Sequence, residues 1–518
     1  MNSPIHPPSI SDLASLSSSL NLSASESELQ QYEKLIPGIL NSYKFVDFFS
    51  IPPSIFAIPR SPGYQPSPSE NPYNAWYYKC DIKSQENSGG LLEGKTLALK
   101  DNIFLAGIPL MNGSRVLEGF IPDEDATVVT RILKAGGRIL GKAHCEDLCL
   151  SGGSHTNSKG FVKNPINPEY SAGGSSSGSA VLVACGEVDM ALGGDQGGSI
   201  RIPSSMCGVV GLKPTHGLVP YTGIIPIEMT LDHVGPIARN VEDCARLLQV
   251  IAGKDGIDHR FYTYFERKKQ EISYDYINKV QGWKGDVTKL RIGVLKEGFI
   301  GVEEDVTLAV NSAIEKLCST YNLTKKEVSF QGHQDAFSVF GVILMEGTYD
   351  CLYAGNMSTT NHITWANAQL NNHARLGFQS NAKDLSHTNK IYMMLGKYIK
   401  ENYGSKYYAK ASTLRNFFLE GYCKLFKEEV DLLVMPTLPK TAKPLPNIQE
   451  KIDIEGYVKQ AFGDIGNTAP FDLTGLPALT INVAGKGALP IGLMIVGDYF
   501  QEGMILQLAK AIEELKLN

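Results

Sequence analysis

A chain of 518 residues exceeds the usual size of one hydrophobic core, so a large domain with an appendage, or two domains, is expected. Its 43% hydrophobic and 20% charged residues are ordinary for a globular protein, and 48 Lys+Arg against 54 Asp+Glu leave a net charge of −6. That balance advertises no basic field for nucleic acid or an anionic membrane, and nine cysteines, sparse and odd in number, point to free thiols in a reducing compartment.

Residues 1–20 carry neither a cationic start nor a continuous apolar run, which argues against a secretory signal, and the apolar run 337–345 is too short to span a bilayer. The expectation is a cytoplasmic protein without a membrane partner. Leu13, Leu16 and Leu20 recur at helical spacing, and Ser25-x-x-Glu28 is a capping-box pattern ahead of Leu29, Tyr32 and Leu40. Pro37 is expected to kink or divide this second helix. Residues 50–73 hold seven prolines and read as an extended linker. Residues 1–75 therefore form a small helical segment and linker, the helices being a candidate homodimer contact. Residues 76–518 form the main body.

In that body, 89–96 matches the spacing of a phosphate-binding P-loop, but a P-loop opens a helix, and residues 96–99 read as a buried strand. The strand ends on Lys100. Residues 125–135 read as a helix stopped by Gly136-Gly137, followed by a short strand at 139–141. His144-x-Glu146 with Cys145 and Cys149 lacks the second ligand pair that a zinc deaminase needs, so the two cysteines read as thiols along one helix face. Residues 174–178 contain a literal G-x-S-x-G, yet a loop precedes it where a nucleophile elbow needs a strand. A helix at 180–185 and a strand at 190–192 follow.

That strand leads into Gly193-Gly194-Asp195-Gln196-Gly197-Gly198-Ser199-Ile200-Arg201-Ile202-Pro203. Four glycines in six residues let the backbone bend sharply and approach a ligand, and successive amides around such a bend converge on an anion. The hydroxyl of Ser199 ends the bend. Further on, a helix is expected at 241–252, a strand at 291–295 and a helix near 306–317.

Lys100 after a strand, Gly-Gly-Ser-Ser at 173–176 and Gly-Gly-Ser-Ile-Arg at 197–201 occur in that order, with Ser175 placed 75 residues after Lys100 and 24 before Ser199. In these three parts the chain resembles the amidase signature family. The likeness covers roughly residues 75–250 and resumes at 432–437 and 466–478. Within the family it is similar to the broad-specificity bacterial amidases associated with nitrile metabolism. The A-type subunits of the tRNA-dependent amidotransferases usually carry Gln where this chain has Ile202. Residues 255–425 match little and are expected to wall the substrate pocket, with Trp365, Tyr349 and the 151–154 loop as candidates.

The resemblance implies an α/β fold, a large twisted mixed sheet covered by helices on both faces. It implies a Ser–cis-Ser–Lys triad of Ser199, Ser175 and Lys100, with a cis Gly174–Ser175 peptide. Ser199 would attack the amide carbon, Ser175 would relay its proton, and Lys100 would serve as base, which a lysine does only in its neutral form. The oxyanion would sit among the backbone N–H groups of Gln196, Gly197, Gly198 and Ser199. Gly174, Asp195 and Arg201 are expected to be scaffold, and the chemistry calls for no metal or organic cofactor. The implied activity is hydrolysis of a primary carboxamide to acid and ammonia through an acyl-enzyme. The alternatives are a glutamine amidotransferase A-type subunit that works on charged tRNA, or an esterase or carbamate hydrolase on the same fold.

Overall fold

In the computed structural model, the described residues are 5–48, 60–84, 89–261, 272–358, 364–447, 453–485, 487–515 and 517. Of the proline-rich stretch expected to be a linker, residues 50–59 lie outside them. The chain divides into two compact units, Met1–Ala57 and Ile58–Asn518.

In the first unit, α1 (Ile10–Ser19) begins on Ser9, whose side chain and that of Asp12 satisfy each other's backbone amides. The Ser25/Glu28 box opens α2 (Glu26–Phe48) in the same way, with Glu28 accepting from the Ser25 amide at 2.7 Å. Pro37 lies inside α2 and does not divide it. Its position is exposed, where the carbonyl left without a proline N–H faces no burial cost, and the helix runs on.

The second unit is organised by an eleven-stranded mixed sheet in the order β1-β3-β2-β4-β6-β5-β10-β11-β9-β7-β8. Its strands are β1 (Trp76–Ile82), β2 (Thr96–Lys100), β3 (Arg138–Ala143), β4 (Met190–Asp195), β5 (Val210–Lys213), β6 (His233–Ala238), β7 (Arg291–Leu295), β8 (Thr324–Val328), β9 (Leu432–Pro436), β10 (Ala478–Asn482) and β11 (Gly492–Gly497). The central strands are buried almost throughout, as a sheet covered on both faces requires.

Alternation along β2 and β4 separates those faces. Leu97, Leu99, Met190 and Leu192 join one hydrophobic cluster with α3 (Thr127–Lys134) and α6 (Val241–Ile251). Ala98 and Ala191 join another with α4 (Ser177–Ala184). Period-two side chains on a strand make this division automatic. The 89–96 glycine pattern leads into β2 rather than a helix, so the geometry of a P-loop is not formed.

The poorly matched region supplies β7 and β8, which extend the sheet at one edge, and long helices at Gly332–Thr348, His387–Tyr403 and Lys406–Glu428. The expected helix near 306–317 runs over Glu304–Tyr321.

Candidate active site

Strand register creates the site. β2 and β4 are parallel neighbours with Leu99 opposite Leu192, so Lys100 and the Gly193–Gly194 stretch emerge side by side at the same sheet end. Lys100 is wholly buried there, and its Nζ donates to Ser175 Oγ at 2.7 Å and to Gly194 O at 3.2 Å. The Gly174–Ser175 peptide is cis. A Cβ on Gly174 would lie 2.8 Å from Glu146 Cγ and 3.0 Å from Ser151 O, so the backbone passes where only glycine fits. The Ser175 carbonyl accepts from Glu146 N at 3.2 Å. The next amide, Ser176 N, donates to Ser199 O at 3.2 Å, while Ser176 Oγ is bonded to both Gly194 N and Gly194 O at 3.1 Å. Lys100, Ser175 and the Ser199 turn are thus tied together by hydrogen bonds.

The turn after β4 is held from within by Asp195. Its carboxylate accepts from Gly198 N at 2.5 Å, Ile200 N at 3.0 Å and Arg201 Nε at 3.0 Å. Arg201, wholly buried at the start of α5 (Arg201–Cys207), continues to Asp472 Oδ2 at 2.6 Å and Thr468 O at 3.0 Å. Burial pushes both carboxyls up. The Arg201 guanidinium outweighs it at Asp195, which lies well below the usual carboxylate range, whereas Asp472, beside the Asp195 charge, lies well above it. Asp195 and Arg201 sit where scaffold residues would.

The amides of Gln196, Gly197 and Ser199 donate to no other described residue, whereas the Gly198 amide is committed to Asp195. Gln196 extends its side chain away from them: Nε2 donates to Tyr221 OH at 3.0 Å and Asp232 Oδ1 at 2.9 Å. Burial, only partly opposed by Arg260, pushes Asp232 up to about 7. The Gln196 side chain therefore anchors the turn to the segment ahead of β6.

A cavity of about 30 Å³ opens beside Ser199, Gln196 and Gly197. Its walls are Ile202, Ile227, Phe340, Leu344, Phe462 and Ile465, with Cys149, Ser151 and Gly152 completing it. From the 255–425 region, Phe340 and Leu344 line this cavity. Trp365 and Tyr349 lie elsewhere: Trp365 donates to Glu124 and packs on Phe104, and Tyr349 meets Gly396. Helix spacing in 332–348 was the available signal for Phe340 and Leu344. A wider hollow of about 610 Å³, bordered by Lys440, Lys443 and Lys459, contains none of the triad. A small pocket shares Gln460 and Asp464 with that hollow, and Ile202 and Ile465 with the Ser199 cavity.

Cys145 and Cys149 do not lie on a helix face. Leu148 and Cys149 take positive φ of 49° and 61°, and both thiols donate to Asn112 Oδ1, at 3.4 and 3.0 Å. Burial pushes both thiols up. The adjoining Cys145 and Lys100 nevertheless hold Cys149 below its ordinary value, while Cys145 stays well above.

The family model described as Amidase matches residues 74–506. An enantioselective amidase of Rhodococcus rhodochrous is 44% identical over 436 residues, covering 83% of this chain and 81% of that protein. The A-type subunit of the glutamyl-tRNA(Gln) amidotransferase of Methanosarcina mazei is 37% identical, covering 83% and 86%. Among solved structures, the peptide amidase of Stenotrophomonas maltophilia superposes with a TM-score of 0.68 at 26% identity, over 82% of this chain and 83% of that one. With its mixed sheet and these matches, the chain belongs to the amidase family.

Proposed function

We propose that the protein hydrolyses a primary carboxamide to a carboxylic acid and ammonia, with Ser199 as nucleophile, Ser175 as proton relay and Lys100 as base. The observation that carries this reading is the 2.7 Å contact between Lys100 Nζ and the Oγ of the cis-linked Ser175. A neutral lysine has two N–H groups and one lone pair. With one N–H on Gly194 O, the 2.7 Å contact to Ser175 Oγ can reverse, the serine hydroxyl then donating to the lone pair.

Ser175 passes its proton to Lys100 while taking one from Ser199, whose oxygen attacks the amide carbon. The negative charge on the carbonyl oxygen develops against the amides of Gln196, Gly197 and Ser199. The fourth amide of the sequence-based set, Gly198, instead fixes Asp195. The proton returns through Ser175 to the leaving nitrogen, ammonia departs, and water activated by the same relay cleaves the Ser199 ester. Apolar walls at Ile202, Ile227 and Phe340 favour an apolar acyl group.

The amidotransferase reading draws support from the Methanosarcina relative. Ile202 weighs against it, since it adds an apolar side chain to the cavity rather than a polar contact for an amino-acid substrate. The protein acts in the cytoplasm. Leu16 on α1, Leu20 at its end, and Leu35 and Ile39 on α2 are exposed, which supports a homodimer through these helices.

The test is ammonia release by the purified chain alone from benzamide or propionamide. Turnover that Ser199→Ala abolishes is the expected result. Turnover of glutamine only in the presence of charged tRNA would favour the amidotransferase, and near-wild-type activity of Ser199→Ala would reject the triad.

A further inference from the structure

The peptide between Gly197 and Gly198 is held at both ends. Its N–H, on Gly198, donates to Asp195 Oδ1 at 2.5 Å, and its carbonyl, on Gly197, accepts from Thr468 Oγ1 at 2.6 Å. Gly198 has φ +134°, and a Cβ there would lie 2.5 Å from Thr468 Oγ1, so the hydroxyl fills the space that the glycine leaves. Thr468 is wholly buried and stands immediately before the helix Ala469–Thr474. Its own carbonyl is held by Arg201 Nη1 at 3.0 Å. The same hydroxyl lies 3.2 Å from Ile465 O, and a threonine has one hydroxyl proton. Two oxygens 2.6 Å apart repel unless a proton lies between them, so the Gly197 carbonyl takes it.

We propose that Thr468 is a positioning residue for the oxyanion-binding turn. This inference rests on the proposed amidase reading of Ser199. A peptide group is planar, so fixing both its carbonyl and its N–H fixes its rotation. The two donors left for the oxyanion on either side, the amides of Gly197 and Ser199, flank this clamped plane. Thr468 thereby acts through the turn without touching substrate. Release of the Gly197 carbonyl frees the plane to rock, which moves both flanking amides away from the position the oxyanion occupies. Groups that bind charge present only in the transition state act on kcat with little effect on substrate affinity, and misplacement near 1 Å costs roughly 10²-fold.

The experiment compares Thr468→Ser and Thr468→Ala, which both lose the methyl group and differ only in the hydroxyl. Benzamide turnover and thermal melting are measured for both, beside the wild type and Ser199→Ala. Thr468→Ser is expected to keep kcat within about 3-fold of wild type, and Thr468→Ala to lose roughly 10- to 100-fold in kcat with KM changed less than about 3-fold. The two variants should melt within a few degrees of each other. Equal kcat in the two variants, or an Ala loss that appears in KM alone, would overturn the positioning role while an inactive Ser199→Ala leaves the amidase reading standing. An active Ser199→Ala would remove that reading, and this inference with it.

Discussion

Lys100 Nζ stands 2.7 Å from Ser175 Oγ, although 75 residues separate them in the chain. The contact joins the end of a buried strand to a loop that precedes a helix. The burial of the lysine follows from the parallel pairing of β2 with β4, and the bonds of Ser176 Oγ to Gly194 bring the Ser175 segment alongside it. If lysine and serine form one proton relay, their removal is not additive. Lys100→Met and Ser175→Ala should each lower kcat by about 10³-fold or more, and the double variant should be little worse than either alone. Multiplicative losses, read from ammonia release, would separate the two residues mechanistically.

The Asp195–Arg201–Asp472 cluster is wholly buried and frames the turn that carries Ser199. Arg201→Met removes the guanidinium paired with the Asp195 carboxylate and leaves that carboxylate charged in the interior. The expected loss is about 3–5 kcal/mol of stability in urea unfolding, because an uncompensated buried charge costs more than the pair contributes. A loss below about 1 kcal/mol, the range of an exposed pair, would show that water reaches the cluster.

Several buried histidines are held below their ordinary pKa, His144 and His216 among them, and each contributes acid sensitivity. Burial pulls His144 down to about 4 and His216 down to about 3, from an ordinary 6.5. Between those values and 6.5 the unfolded chain binds more protons than the folded one, so stability rises with pH across the window and is lost as pH falls below 6.5. Each group adds a slope approaching about 1.4 kcal/mol per pH unit. Asp232, pushed up to about 7, contributes a slope of opposite sign over the same window, so the histidine share is read as a difference: the wild type should gain more stability than His144→Asn between about pH 4.5 and 7 in unfolding experiments. An unchanged slope in that variant would place the acid sensitivity elsewhere.

Phe340 closes the cavity against the Ser199 turn, its ring 2.8 Å from where a Cβ on Gly197 would be. Phe340→Ala should raise kcat/KM for bulky acyl groups relative to acetamide by roughly 10-fold, the range of a hydrophobic pocket changed by a few methylenes. A uniform fall across an amide panel would mean that Phe340 supports the turn without bounding the acyl group.

Much of the central site is legible in the sequence because its residues sit in short glycine-rich stretches whose spacing is their signature. Ser175 and Ser199 are visible in this way, and Lys100 as the charged end of the apolar strand β2. Long-range pairing is not. Thr468 and Asp472 lie about 270 residues beyond the turn they hold, and only the docking of the helix Ala469–Thr474 brings them to Arg201. The division of labour among the four amides is hidden for a different, local reason. A run of glycines shows that the backbone can converge on an anion, but not that Asp195 takes the Gly198 N–H for itself. Trp365 and Tyr349 stand out by size, whereas the pocket wall is set by which face the helix Gly332–Thr348 turns inward. The spacing of Cys145 and Cys149 suits a helix, but positive φ at Leu148 and Cys149 breaks that geometry and brings both thiols to Asn112.

The central claim is that Ser199, driven by Lys100 through Ser175, is the nucleophile. The most direct measurement is labelling of the native chain with a fluorophosphonate, followed by peptide mapping of the adduct. One adduct is expected, on Ser199, and its formation should slow by at least about 10²-fold in Lys100→Met. An adduct on Ser175 or on the neighbouring Cys149, or a rate on Ser199 that is indifferent to Lys100, would contradict the claim.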